Sequence, residues 1–275
     1  MHKGKQKTTK EEFRKIVWDY YKKHKRPMWW RSDTQPYYIV VSEIMLQQTQ
    51  VDRVMDVFPL FIKKFPSLRS LARASRTEVL SAWQGLGYNR RAVYVHQIAK
   101  EIVRRYRGIL PSSIEELEKL PGIGPNTAAS IYVFAYNMPA VFIETNIRTV
   151  FLFHFFKNKK NVLDKDIVTL IEETLSPKDV REWYWALMDY GSYLKKIYGN
   201  QNRRSKHYVK QAKFEGSNRQ LRGMIIKFLL KHKASGIKDI AEHIQKSVKE
   251  TERVCSRLVG EGIVSYNRER RVYRV

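Results

Sequence analysis

The chain has 275 residues, 43% of them apolar, with 52 Lys and Arg against 27 Asp and Glu, for a net charge of +25. That apolar share supports one large core or two smaller ones and excludes a disordered polymer, while the positive surplus favours a polyanion. Nucleic acid is the leading partner class and an anionic membrane surface the rival. A single cysteine, Cys255, excludes an internal disulfide and any cysteine-held metal cluster. No apolar run approaches roughly 20 residues, and the opening MHKGKQKTTKEE lacks an apolar signal-peptide core, so neither a membrane span nor secretion is expected.

Residues 1–12 read as a basic tail. A helix is predicted over Phe13–Lys23, followed by the turn-rich passage KRPMWWRSDTQP. Between Tyr37 and Phe65 the apolar positions recur at helical spacing, in two helices that break near Thr49. Inside this run lies Ser42-Glu43-Ile44-Met45-Leu46-Gln47-Gln48-Thr49-Gln50-Val51, a carboxylate and three glutamines where apolar residues would cost less. Glu43 is either solvated or paired with an arginine such as Arg31, or it is a general acid whose pKa is raised by a dry pocket. Gln47 and Gln48 carry amide edges suited to a base stack. Further on, Trp83-Gln84-Gly85-Leu86-Gly87-Tyr88-Asn89-Arg90-Arg91 ends one helix and opens the next, with Tyr88, Arg90 and Arg91 beside flexible backbone. Such a group stacks on bases or holds phosphate, or is an ordinary helix turn.

After a helix over Arg91–Tyr106, Ser112-x-x-Glu115 and Ser113-x-x-Glu116 are alternative capping boxes for a short helix that stops at Leu120-Pro121-Gly122-Ile123-Gly124. Pro125 suits the first position of a second helix reaching Tyr136 or Asn137, ahead of Pro139. In this helix-hairpin-helix the N–H groups of Gly122, Gly124 and Asn126 face outward at a positive helix end, which attracts phosphate. The plainer reading is a turn punctuated by Gly and Pro. Downstream stands one isolated carboxylate, Glu144. Ile147–Phe156 is strongly apolar, helices are predicted over Lys165–Leu175 and Val180–Tyr193, and no strand is expected before residue 195, so residues 13–195 form an all-helical domain. All nine prolines and all six tryptophans precede residue 186. A basic linker is assigned to residues 196–216. Residues 217–275 carry three helical segments and an alternating basic hairpin from Ile263 to Val275, the pattern of a winged helix-turn-helix. Lys249, Arg253 and Arg257 would lie on its groove-entering face, unless the module serves dimerisation or binds a protein.

Four strings, Ser42 to Val51, Gly85-Leu86-Gly87-Tyr88, Leu120 to Gly124 and Met188-Asp189-Tyr190-Gly191, closely resemble the helix-hairpin-helix DNA glycosylases, the MutY-like adenine glycosylase branch most of all. The resemblance covers roughly residues 13 to 195. It implies base flipping and cleavage of an N-glycosidic bond, with Glu43 as the acid, Glu144 at the place of the catalytic aspartate, and Asn146 two places on. It also implies that Gln48 and Tyr88 wedge into the stack, and that the hairpin grips phosphate, with K+ or Na+ on carbonyls near Leu120 and Ile123. Asn126 and Arg31 are assigned to the substrate pocket.

Three departures qualify what carries over. Glutamate replaces aspartate at 144. Asn126 stands where bifunctional relatives resembling endonuclease III have a Schiff-base lysine, which implies a monofunctional enzyme. Leu194 stands where a four-cysteine iron–sulfur loop would begin, so no cofactor is expected, and the 8-oxoguanine-inspecting module is replaced by the winged helix. The expectation is a monomer on mismatched double-stranded DNA, in the cytoplasm and nucleoid or, in a eukaryote, the nucleus. It would excise adenine opposite G or 8-oxoguanine. The alternatives are a uracil or thymine glycosylase acting on mispairs with G, and a catalytically silent lesion- or structure-binding protein.

Overall fold

The computed structural model describes residues 8–176, 178–211 and 213–275. In chain order the helices are α1 (Lys10–His24), α2 (Trp29–Ser32), α3 (Pro36–Leu46), α4 (Val51–Lys64), α5 (Leu68–Arg73), α6 (Arg76–Ala82) and α7 (Arg90–Arg105). The hairpin helices α8 (Ile114–Glu118) and α9 (Pro125–Tyr136) follow, then α10 (Thr145–Phe155), α11 (Asp164–Thr174) and α12 (Val180–Tyr198). The C-terminal part holds α13 (Asn218–His232), β1 (Ala234–Gly236), α14 (Ile237–His243), α15 (Val248–Gly260), β2 (Ser265–Asn267) and β3 (Val272–Arg274). The chain divides into two compact units. The first is the chain up to Pro36, Ser112–Glu118 and Ile123–Lys210; the second is Tyr37–Pro111, Lys119–Gly122 and Gln211–Val275.

In the first unit α12 is the central helix, packed against α1 and α10. Trp183, Tyr184, Trp185 and Leu187 are buried, and Phe13 of α1 meets Trp183 edge-on at 6.0 Å. Rings of this size dominate the area removed from water. Beyond α12 the chain folds back as a 3-10 turn, Gln201–Arg204. Arg204 donates to the carbonyls of Leu152 (2.7 Å), Phe156 (2.5 Å) and Lys157 (2.6 Å). Leu152 lies in the last turn of α10 and Phe156 and Lys157 just beyond it, where a cation also suits the helix dipole. Buried Asn202 donates to the Thr145 carbonyl (3.1 Å) and the Thr149 hydroxyl (2.7 Å), pinning the first turn of the same helix.

In the second unit α7 packs on α5 and α6, and Trp83 meets Phe61 at 5.8 Å. Tyr37 and every residue from Ile39 to Met45 are buried, so α3 is enclosed all round rather than on one stripe. The C-terminal part has the strand and helix order of a winged helix, with an antiparallel sheet in the order β1-β3-β2. Its short first strand has no counterpart in the sequence reading.

Two boundaries differ from the composition-based ones. Thr9 forms a capping box with Glu12, so α1 starts at Lys10 inside the assigned tail, while residues 1–7 lie outside the described ones. Helix α12 continues to Tyr198, because Lys195 and Lys196 are good helix formers on its exposed side and the cationic run masks the helix in sequence. No helix among the described residues is long and apolar enough to cross a membrane.

Replacing Asn202 with Ala removes its two hydrogen bonds to α10 and is expected to lower stability by about 1–3 kcal/mol in urea unfolding. A loss below about 0.5 kcal/mol would mean that the turn does not hold α10.

Candidate active site and nucleic-acid interface

In the first unit the site begins with an extended segment, residues 140–143, held from two sides. The Tyr184 hydroxyl donates to the Ala140 carbonyl (2.9 Å) and accepts the Phe142 N–H (3.4 Å), while the Phe142 and Tyr184 rings stack at 4.1 Å. From α9, the Asn126 side-chain oxygen accepts the Ile143 N–H at 3.3 Å. This anchored segment delivers Glu144 as the N-cap of α10, with φ −117° and ψ 168°. Its side chain makes no capping bond and is left for other work. The residue keeps partial solvent contact, but its carboxyl is desolvated, and burial pushes the pKa up to about 7.

Asn146, half-buried in the first turn of α10, sits under Gly191 of α12. A Cβ on Gly191 would stand 2.2 Å from the Asn146 carbonyl oxygen, so only glycine permits this approach. Asp189, 1% exposed, accepts from the Arg31 amino groups at 2.8 and 3.0 Å, from Arg26 Nε at 2.7 Å and from the Arg26 N–H at 3.1 Å. The Met188-Asp189-Tyr190-Gly191 string thus ties α2 and the chain just ahead of it to α12 and seats α12 against the turn after Glu144. Arg31, assigned to the pocket or to Glu43, is corrected by this geometry. Both its amino groups are spent on Asp189 and its plane lies over Trp185 at 5.2 Å.

In the second unit Glu43 is 9% exposed within α3. Just beyond it, Gln48 has φ +55°, and in the facing turn Tyr88 has φ +46°. Left-handed backbone costs a non-glycine residue of order 1 kcal/mol and persists only where the surroundings impose it. Arg91 imposes it. Its guanidinium donates to the carbonyls of Ile44 (2.9 Å), Met45 (2.7 Å), Gln47 (2.5 Å), Leu86 (3.1 Å) and Gly87 (3.2 Å), and to the Thr49 hydroxyl (2.8 Å). Burial pushes its pKa down to about 10. The expectation that Arg91 contacts DNA is therefore corrected: it is 6% exposed and holds both loops from inside. Arg90 is exposed, 5.2 Å above the Tyr94 ring.

The hairpin uses its glycines differently. Gly122 has φ +74°, and a Cβ there would come within 2.4 Å of the Tyr94 ring, so the fold itself demands glycine. Gly124 is exposed and a Cβ there would meet nothing within 4 Å, so packing within the protein does not demand glycine at this position. The Ser113 hydroxyl accepts the Glu116 N–H at 3.3 Å, which decides between the two capping boxes. Leu120 and Ile123 are buried, and Asn137 ends α9 in left-handed conformation. On α15, Lys249, Arg253 and Arg257 are all exposed, opposite buried Val254, Cys255 and Leu258.

A four-cysteine cluster does not fit this chain: four thiolates are needed and only Cys255 exists, while Leu194 is a core residue of α12. Sequence reasoning missed Tyr184, Asn202 and Arg204, and quoted Asp189 within the Met188-Asp189-Tyr190-Gly191 string without giving it a role. Asp189, an acid in an otherwise apolar helix stretch, was the one readable signal.

The raised pKa of Glu144 has a signed consequence. Folding favours the protonated acid, so its contribution is fully present below the ordinary carboxylate range of about 4.3 and is lost as pH rises through about 7. Wild type is expected to lose stability relative to Glu144→Gln between about pH 4.5 and 7 and to run parallel above, as read from denaturant melts. A pH-independent difference would mean that the carboxyl is solvated.

Residues 41–177 match the family model described as "HhH-GPD superfamily base excision DNA repair protein". An adenine DNA glycosylase of Buchnera aphidicola subsp. Baizongia pistaciae is 34% identical over 166 residues, covering 60% of this chain and 47% of the relative. Another, of Mycobacterium tuberculosis, is 38% identical over 135 residues, covering 49% and 44%. The chain thus spans about half the length of the curated relatives it matches. Among solved structures, a thermostable thymine-DNA glycosylase superposes with a TM-score of 0.60 at 23% identity, over 66% of this chain and 86% of the other, which shows a shared fold. By the match over residues 41–177 and by these relatives, the chain belongs to the HhH-GPD superfamily, in its MutY-like branch.

Proposed function

We propose that the protein is a monofunctional DNA glycosylase that hydrolyses the N-glycosidic bond of adenine flipped out of a mispair with G or 8-oxoguanine. The observation that carries this reading is Glu144, a desolvated carboxyl with a pKa of about 7, delivered by an anchored segment at a helix entry. A base inside the stack is out of reach, so excision starts with extrusion. Glu43 gives a proton to a ring nitrogen of adenine. The C1′–N9 bond then breaks, and its electron pair leaves with the neutral base. Glu144, ionised, stabilises the positive charge that develops on the sugar, and its extra methylene relative to aspartate extends its reach. Water adds its oxygen to C1′ and releases a proton, leaving an abasic site and free adenine.

Asn126 supports the absence of lyase chemistry. Its amide is no nucleophile, and its oxygen is already bonded to Ile143. Gln48 and Tyr88 fit the wedge that fills the vacated stack, and the hairpin at Gly122 and Gly124 fits a phosphate grip, with K+ or Na+ as the cation proposed for its carbonyls. Lys249, Arg253 and Arg257 would add salt-dependent affinity for the duplex. In this reading one copy acts on mismatched double-stranded DNA, in the nucleoid or nucleus.

The test is single-turnover cleavage of duplexes carrying A, U, T or hypoxanthine opposite G or 8-oxoguanine. Alkali-labile product is expected from A, without nicking in the absence of alkali and without a borohydride-trapped adduct. Glu43→Gln should slow excision by about 10²–10⁴-fold. Product from U or T alone would replace adenine by a pyrimidine, and no product from any duplex would leave a binding protein.

A further inference from the structure

Helices α5 and α7 pack side by side in the second unit, and the trough between them has a volume of about 240 Å³. Four cations and two apolar side chains line it: Arg69, Ala72 and Arg73 from α5, and Lys100, Val103 and Arg104 from α7. All four cations are exposed. The surrounding chain has the same bias, since residues 63–76 and 97–107 together carry nine Lys or Arg and one acid, Glu101. Nothing in the proposed excision chemistry uses this patch. Counted from Arg90, helical rise puts Lys100 and Arg104 about 15 and 21 Å along α7 from the Tyr88 turn. A residue that enters the stack from the tip of α7 leaves the body of the helix pointing away from that duplex, and the trough lies toward its far end.

Part of this lining is held in place. Arg69 Nη2 donates to the Arg107 carbonyl at 2.6 Å, and a Cβ on Gly108 would stand 3.2 Å from Arg69 Nε, so the turn after α7 is shaped to seat that guanidinium. Arg104 is held on its own helix by Glu101, at 2.7 and 3.0 Å. Arg73 and Lys100 have no ion-pair partner among the described residues. Cations gathered without intervening acids repel one another, and an anionic ligand relieves that repulsion. The field reaches the interior: His96, one turn before Lys100 and 4% exposed, has its pKa lowered by burial and then by the Lys100 and Arg76 charges. The side chains of the trough offer charged N–H donors and no acceptor, the complement of phosphate oxygens rather than of base edges, which mix donors with acceptors. Arg69 and Arg73, like Lys100 and Arg104, stand about 6 Å apart along their helices, a spacing that meets a strand carrying one charge per roughly 3.4 Å of axis.

We propose that the α5–α7 trough is a second DNA-backbone site, which holds a separate segment of duplex while the loops at Gln48 and Tyr88 engage the first. It rests on the glycosylase reading only for DNA as the ligand at those loops. One chain then bridges two segments, and its salt-dependent hold on the second keeps it beside DNA between excisions.

The test uses the full chain and duplexes of about 12 base pairs, roughly 40 Å long, each bearing a tetrahydrofuran abasic analogue, with sedimentation velocity reading the mass of the complex. With duplex in excess, one chain is expected to carry two duplexes, and four cations set a loss of about 10²-fold in the second affinity between 50 and 200 mM salt. Arg73→Glu with Lys100→Glu should abolish the second duplex while single-turnover excision is unchanged and affinity for the first duplex moves less than about twofold. The milder pair, Arg73→Gln with Lys100→Gln, should lower the salt slope of the second binding by about 2. A second duplex that survives the charge reversal would overturn the site. One duplex per chain in wild type would also overturn it and would leave the trough to an acidic protein segment. Two duplexes per chain without excision of any base would keep the site and sink the enzyme reading, and excision with one duplex per chain would do the reverse.

Discussion

The Arg91 guanidinium lies inside one unit and donates to six oxygens drawn from the end of α3, the Gln47–Thr49 loop and the Leu86–Gly87 turn. A buried cation is tolerable only when its donors are used, and here each donation also fixes a stretch of irregular backbone. Gln48 and Tyr88 hold left-handed conformations on either side of it. Remove the guanidinium and both loops lose their shared anchor, with α3 carbonyls left unmet in a dry interior. What the sequence presents as a surface arginine beside an aromatic is the internal brace of the proposed DNA-contacting loops.

The same economy governs the other unit. Asp189 is a buried anion held by Arg31 and Arg26, and Arg204 is a cation spent on the last carbonyls around α10. These pairs fix α10 from several directions, and Gly191 lets α12 come within backbone contact of its first turn. Glu144 sits at the start of that helix. Its carboxyl is paired into neither network, and burial brings its proton affinity to the middle of the physiological range. A rigid surround with one poised carboxyl is what stabilising a short-lived sugar cation requires. After α12, a turn carrying Asn202 and Arg204 braces α10.

Local rules made much of this legible. The hairpin follows from Gly122 and Asn137, needed for their positive φ, and from Pro125, whose missing N–H suits a helix start, and the enclosed α3 follows from an apolar run broken only by Ser42 and Glu43. The destinations of Arg31 and Arg91 were not legible, because partners 158 and 47 positions away leave no local trace, and arginine is mostly exposed in folded proteins. The short strand β1 was hidden for a related reason: Ala234–Gly236 has no strand propensity and is recruited only by the edge of β3. The trough lined by Arg69, Arg73, Lys100 and Arg104 was invisible in principle, since it exists only once α5 and α7 are packed together.

The central claim is that Glu144 is the carboxylate that stabilises the sugar cation. Single-turnover excision of adenine opposite 8-oxoguanine by Glu144→Gln, set beside its affinity for the matching abasic-analogue duplex, tests this most directly. Excision is expected to fall by at least about 10²-fold with affinity changed less than about threefold, since the amide keeps the shape and loses the charge. Excision by Glu144→Gln at the wild-type rate would contradict the account.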